Sequence, residues 1–348
     1  MKRSYSLDLI RLFLAYVIVL FHFDHTVPPG PAVTVQVFFV ISGYFLARKY
    51  YSRSHGDGGA TYSPWRYTLD HIRSFLPHYL VALVLYLCYE LLRAVLVFLT
   101  APSTGGLWEL LTLVYDQLPD LAFLQTSYQY GMNLNRPTWQ LSALVIAGYF
   151  VYALLCYNEK LSRRILFPGA ILIAQCLLAD QPDLFARVGP IFLPLLRAFA
   201  PLCVGVLTYY FSTTQQYEAL KRHKVLFNVL TLLPLPAMMA FQDRNGLHLI
   251  WSALLILGCM EPSSVTERLL GHKCFAPCAK LSYVIYLEHA LIGRAYLNIL
   301  KPIIRKLGIE LGTAADCAVY LVLLTAICLT LQWVVERVLR KTGKGAAG

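Results

Sequence analysis

SLDLIRLFLAYVIVLFHFDH, residues 6–25, is apolar over about the length of one bilayer crossing, yet it carries Asp8, Arg11 and His22. A helix rises about 1.5 Å per residue, so roughly 20 apolar residues span the hydrocarbon. No water is available there, so the backbone must satisfy its own polar groups and the block must be helical. Arg11 and His22 are eleven residues apart. At about 100° per residue this is close to three full turns, which puts both on one face, about 16 Å apart along the axis. Asp8 lies one turn before Arg11 and is expected to pair with it. Ionisable groups inside a span are costly and mark function by default. The plainer reading is that Asp8 and Arg11 snorkel at the inner interface and His22 simply ends the helix. The alignment of all three favours a polar stripe instead. Asp24 and His25 extend it into a candidate proton-transfer site at the outer end.

Similar blocks recur along the chain. Spans are expected at about 6–23, 32–47, 77–99, 137–157, 165–179, 190–211, 225–241, 246–260, 281–300 and 313–335. This predicts an all-α, polytopic integral membrane bundle of about ten transmembrane helices, one membrane-embedded domain over residues 1–348. Residues 107–126 are amphipathic and interrupted by Pro119, which predicts an external helix lying on the membrane. With the N-terminus in the cytoplasm and alternating spans, twenty Lys and Arg fall on the inner side (Lys2, Arg3, Arg48, Lys49 and so on to Lys344). Six fall on the other, namely Arg136, Arg187, Arg244, Lys301, Arg305 and Lys306. That bias places both termini inside.

Composition excludes the main alternatives. Of 348 residues, 57% are hydrophobic and 14% charged, where a soluble domain carries about 25% charged. The net charge of +11 is explained by basic inner loops facing anionic lipid, so nucleic acid is not expected as a partner. Nine Cys are scattered, mostly inside apolar blocks, and form no disulfide framework. Cys274, Cys278 and His272 match no standard zinc spacing, and no metal is expected.

Four segments carry a family resemblance. LDLIRLFLAYVIVLFHF (7–23) resembles the opening helix of the acyltransferase type 3 membrane family, with its Arg, ten residues, then His at Arg11 and His22. VQVFFVISGYFLARKY (35–50) is similar to the second helix, with Phe38, Phe39, Ser42, Gly43 and Tyr44. PTWQLSALVIAGYFVY (137–152) is similar to the Trp-x-Leu-Ser helix, and LSYVIYLEHALI (281–292) to the Ser-Tyr-x-x-Tyr-Leu-x-His segment. Two departures stand out. Where the family often has Arg-x-x-Arg before the third helix, HIRSFLPHYL (71–80) has His71 and Ser74, with Arg73 displaced by one. Where many members have Glu five residues after the Trp, this chain has Leu144.

The resemblance implies an enzyme of the bacterial cell (inner) membrane. It would move an acetyl or other acyl group from acyl-CoA, acetyl-CoA above all, to a hydroxyl of a cell-surface glycan or related small molecule. His22 would be general base or acyl carrier, with Arg11 and Asp8 beside it. Arg73, His71 and Ser42 are expected on the donor, and Trp139, Tyr283 and His289 on the acceptor. Ser42 and Gly43 read equally well as close-packing residues, and Trp139 as an interfacial anchor. Glu288, Arg294, Glu90, Arg93 and Arg197 read as charges that close the bundle. A transporter or flippase of a lipid-linked glycan or small molecule, or a catalytically inactive relative, remain the competing classes.

Overall fold

The computed structural model describes residues 3–23, 31–54, 62–100, 107–115, 118–126, 135–179, 181, 186–189, 191–241 and 245–341. The helices in chain order are α1 (Tyr5–Phe23), α2 (Pro31–Ser54), α3 (Pro64–Thr100), α4 (Leu107–Tyr115), α5 (Leu118–Leu121), α6 (Trp139–Leu161), α7 (Phe167–Leu178), α8 (Leu193–Phe211), α9 (Gln215–Arg222), α10 (Lys224–Leu232), α11 (Pro234–Ala240), α12 (Asn245–Met260), α13 (Val265–Leu270), α14 (Cys278–Ala295), α15 (Lys301–Lys306) and α16 (Thr313–Lys341). One small antiparallel pair, β1 (Arg187–Val188) and β2 (Ile191–Phe192), precedes α8.

Each expected apolar block falls largely on helix, but the expected count of about ten crossings is not confirmed. Among the described residues, five helical stretches are long and apolar enough to cross a membrane: Tyr5–Phe23, Pro64–Thr100, Arg136–Leu178, Leu193–Phe211 and Thr313–Lys341. A sixth is added if α9 and the stretch Lys224–Ala240, which are bent by 102°, count as one span. Composition and length keep two of the expected blocks out of that count. α14 carries Lys280, Glu288 and Arg294. α12, at 16 residues, reaches only about 24 Å. The block at 137–179 is broken at Asn158 (φ −158°, ψ 98°) and passes through a π-helical turn at Ser162–Leu166. The amphipathic stretch at 107–126 forms two short helices, α4 and α5, with residues 116–117 between them outside the described set. Lys2, Arg244 and Lys344 of the charge count also lie outside it.

The chain forms two compact units. The first comprises residues 1–70 and 143–283. Its centre is α8, whose Leu202, Cys203 and Val206 are fully buried. α8 packs most extensively on α2, and α7 lies along it through Ala174, Leu178, Leu193 and Ala200. Two glycines make the α2–α8 approach possible. A Cβ on Gly43 would lie 2.1 Å from the Leu202 carbonyl oxygen, and one on Gly205 would lie 2.1 Å from that of Val40. Small residues are the usual means of bringing membrane helices this close.

The second unit comprises residues 71–142 and 284–348. Its long helices expose apolar faces: Leu92 and Leu99 of α3 and Val322 of α16 are 60, 69 and 70% exposed. Such faces are tolerated where the solvent is lipid. α16 buries one stripe, Asp316, Tyr320, Leu324 and Cys328, spaced every four residues as one helical face requires. Charge closes this unit. Glu90, buried on α3, receives Arg93 Nε at 2.7 Å and Arg294 Nη1 at 2.8 Å. These residues therefore do what the bundle-closing reading asks of them.

Candidate active site

In the first unit, α1 is one unbroken helix carrying Asp8, Arg11 and His22. Asp8 is buried and paired, but with Arg3, whose Nε donates to Oδ2 at 2.7 Å. Arg3 also donates to the Ala276 carbonyl at 2.5 Å, and Ser4 to Glu267 at 3.2 Å. These bonds tie the N-terminal end of α1 to the α13 region. Arg11 instead sets its guanidinium over the Phe45 ring of α2, 5.4 Å from the centroid, a cation–π contact. So the expected Asp8–Arg11 pair gives way to Arg3–Asp8, because a flexible Arg just outside the helix reaches the carboxylate better than one a turn along it. His22 is exposed at the far end of α1, its ring edge-on to Phe21 at 5.5 Å. Asp24 and His25 lie outside the described residues. Ser42 donates to the Phe38 carbonyl at 2.9 Å. This bond stays within α2, beside Gly43.

Sequence reasoning missed an aromatic and cationic cluster in the same unit. Tyr67 and Tyr152 stack at 4.3 Å, Lys49 lies 5.2 Å from the Tyr62 and Tyr67 rings, and Arg53 lies 5.3 Å from that of Tyr62. Tyr62 donates to Asp70, and burial together with that carboxylate pushes its hydroxyl up to about 12. The signal was available as Tyr and Lys/Arg interleaved through 49–67, but its partners come from α6. Tyr283, the last residue of this unit, is half-buried. His272 accepts from the Cys274 N–H at 3.3 Å, a local cap of the turn that follows it.

In the second unit, two of the motif segments meet. Tyr286 donates to the Pro137 carbonyl, and Asn135 donates to the Leu287 carbonyl at 2.9 Å. Trp139 begins α6 and is buried. His289 is buried, with Nδ1 2.8 Å from the Tyr286 carbonyl and its own carbonyl accepting from Tyr320 at 2.7 Å. Trp139, Tyr286 and His289 thus belong to one packed region. Ser142, three residues past Trp139, donates to the Phe123 carbonyl at 2.6 Å and holds the Thr126 N–H at 3.1 Å. At the start of α3's share of this unit, Arg73 is exposed and His71 is half-buried, edge-on to Phe75.

Asp120 is the residue the sequence concealed. It looked like one polar position of an amphipathic loop, yet it is fully buried. Its carbonyl accepts from Tyr79 at 2.8 Å, while neither carboxylate oxygen has a hydrogen-bond partner among the described residues. Burial alone pushes the acid up to about 7, because an unpaired charge is disfavoured away from water. Phe123, next in the turn, adopts φ +55° and packs against Phe75 and Tyr79. A bulky residue rarely adopts this conformation unless packing enforces it.

The helices and their lipid-suited faces define a helical membrane protein. Residues 4–333 match the family model of the acyltransferase domain, and the chain belongs to that family, the type 3 membrane acyltransferases. No curated protein and no solved structure matches the chain.

Proposed function

We propose that this protein transfers an acyl group from cytoplasmic acyl-CoA, acetyl-CoA in the simplest case, to a hydroxyl of a cell-surface glycan or related small molecule. The position of His22 carries the reading. It is an accessible imidazole at one end of α1, on the helix face of Arg11, with the other end anchored through Asp8. An imidazole is the side chain whose ordinary pKa suits proton transfer near neutrality. His22 takes the proton of the acceptor hydroxyl as its oxygen attacks the thioester carbonyl. The new C–O bond forms, the C–S bond breaks, and the proton leaves with the CoA thiolate. Arg11 steadies negative charge on the donor. Arg73 and His71 serve the CoA phosphates from the inner side, while Trp139, Tyr283 and His289 contact the acceptor. The inner-face excess of Lys and Arg supports a cytoplasmic N-terminus and donor.

The test is transfer of label from acyl-CoA by the purified protein, acetyl-CoA first. His22→Ala is expected to lose at least about a hundredfold in rate, the usual contribution of a general base, with unchanged yield and thermal midpoint. Activity within about threefold of wild type would remove His22 from the mechanism.

A further inference from the structure

The second unit holds a cavity of about 470 Å³ that the site described above does not use. Its walls are the apolar faces of α3, α14 and α16, with Leu85, Leu291, Ile299, Leu323, Ile327 and Leu331 among the lining residues. One carboxylate lines it, Glu288, which is 2% exposed and whose Oε2 has no hydrogen-bond partner among the described residues. A cavity of this size is in the range of small-molecule sites. An acetyl group would leave nearly all of it empty.

The cavity has two ends. Glu288 lies ten residues into α14, about 15 Å along the axis. The lining then continues to Leu300, about 18 Å further. There it stops at a polar wall, where Tyr296 and Lys301 both bond to Asp316. Beyond that wall lies a separate polar cavity of about 400 Å³ lined by Lys301, Arg305, Glu310 and Asp316.

We infer that this groove receives the alkyl chain of a long-chain acyl donor, with the thioester end at Glu288 and the methyl end at the Tyr296–Asp316–Lys301 wall. The inference rests on the acyltransferase reading and names its donor class. The neighbour of Glu288 in sequence is His289, which belongs to the region where the Trp139 and Tyr286 segments meet. A bilayer lipid tail would suit the aliphatic walls, but it offers nothing to a buried carboxylate, which is costly without a partner. The pantetheine arm of acyl-CoA does offer a partner, since its amide N–H groups are donors and Glu288 is an acceptor. The groove contains no cation, which leaves the CoA phosphates outside it and only the chain within.

The experiment measures kcat/KM of the full chain in detergent for acetyl-, octanoyl-, dodecanoyl- and palmitoyl-CoA, with the same acceptor. Wild type is expected to favour dodecanoyl- over acetyl-CoA by at least about tenfold, a difference of the size apolar pockets deliver. Ile327→Trp, and separately Leu331→Trp, are expected to bring that ratio towards one by filling the groove. The ratio is read within each variant, so partial loss of folded protein does not affect it. Preference for acetyl-CoA in wild type would overturn the inference and leave the acyltransferase reading standing. So would a high ratio that survives both Trp variants, since the chain would then lie elsewhere. Consumption of no acyl-CoA of any length would remove the acyltransferase reading itself, and this inference with it.

Discussion

Asp120 shows how far a single residue's chemistry depends on what covers it. In water its carboxyl would titrate near 3.8, and in the fold it does so at about 7. The folded state therefore holds the proton more tightly than the unfolded chain. Between about pH 4 and pH 7 the unfolded state has lost the proton while the folded state keeps it, so this group's contribution to stability falls as pH rises through that window and is flat above it. The shift of about three pH units corresponds to at most about 4 kcal/mol. Asp120→Asn is expected to remove the effect. Its thermal midpoint should match wild type at pH 4 and exceed it by several degrees at pH 8, and a constant difference across that range would contradict the burial argument. The sequence could not reveal this, because Asp120 sits beside Pro119 in a stretch whose pattern suits a helix on the membrane surface. Its burial comes from Tyr79, Gln125 and the strained turn at Phe123. His22 is the opposite case. Its place at the end of an apolar helix was legible from spacing alone, because eleven residues and 3.6 per turn leave little freedom.

At the scale of elements, the α2–α8 pair is the most constrained contact in the first unit. Gly43→Ala is expected to cost about 3 kcal/mol or more, beyond ordinary overpacking, because the new methyl would meet backbone rather than a movable side chain. Gly148→Ala is the control. Its Cβ would meet nothing within 4 Å, and Ala is favoured over Gly in a helix by about 1 kcal/mol. Thermal midpoints in detergent compare the two, and equal effects would refute the close-packing role of Gly43. The family-like Ser-Gly pair was visible in sequence, but its second half, Gly205, was not, because the two positions meet only when α8 crosses α2. The expected span at 225–241 likewise needed the structure to show Pro234 dividing it into α10 and α11.

At the scale of the molecule, the distribution of charge gives an orientation that labelling can test. In a background with Cys88, Cys156, Cys176 and Cys274 replaced by Ser, Arg305→Cys is expected to react with a membrane-impermeant maleimide in intact cells. Arg164→Cys is expected to react only after permeabilisation. The reverse pattern would invert the topology, and labelling of both from one side would mean that an odd number of the expected crossings between them is not made. The crossing count is the point on which composition and structure part. Apolar blocks mark helices, but α14 carries enough charged residues to fall short of what a lone lipid-facing span requires. Within a bundle such residues find partners, as Glu90 does with Arg93 and Arg294, 204 residues away from the latter.

The amino-acid sequence by itself determined that this is a helical membrane protein, where its helices run, which family it belongs to, and that Arg11 and His22 share a face. Each of these follows from local periodicity, bulk hydropathy or short motifs, which need no knowledge of what lies across the fold. The tertiary structure alone decided that Asp8 pairs with Arg3, that the Asp120 carboxylate is buried with no hydrogen-bond partner among the described residues, and that Asn135 reaches Leu287 across 152 residues to join two motif segments. It alone formed the groove beside Glu288. Burial, pairing and cavities are properties of surfaces brought together from distant parts of the chain, and no repeat along the sequence encodes which surfaces those are.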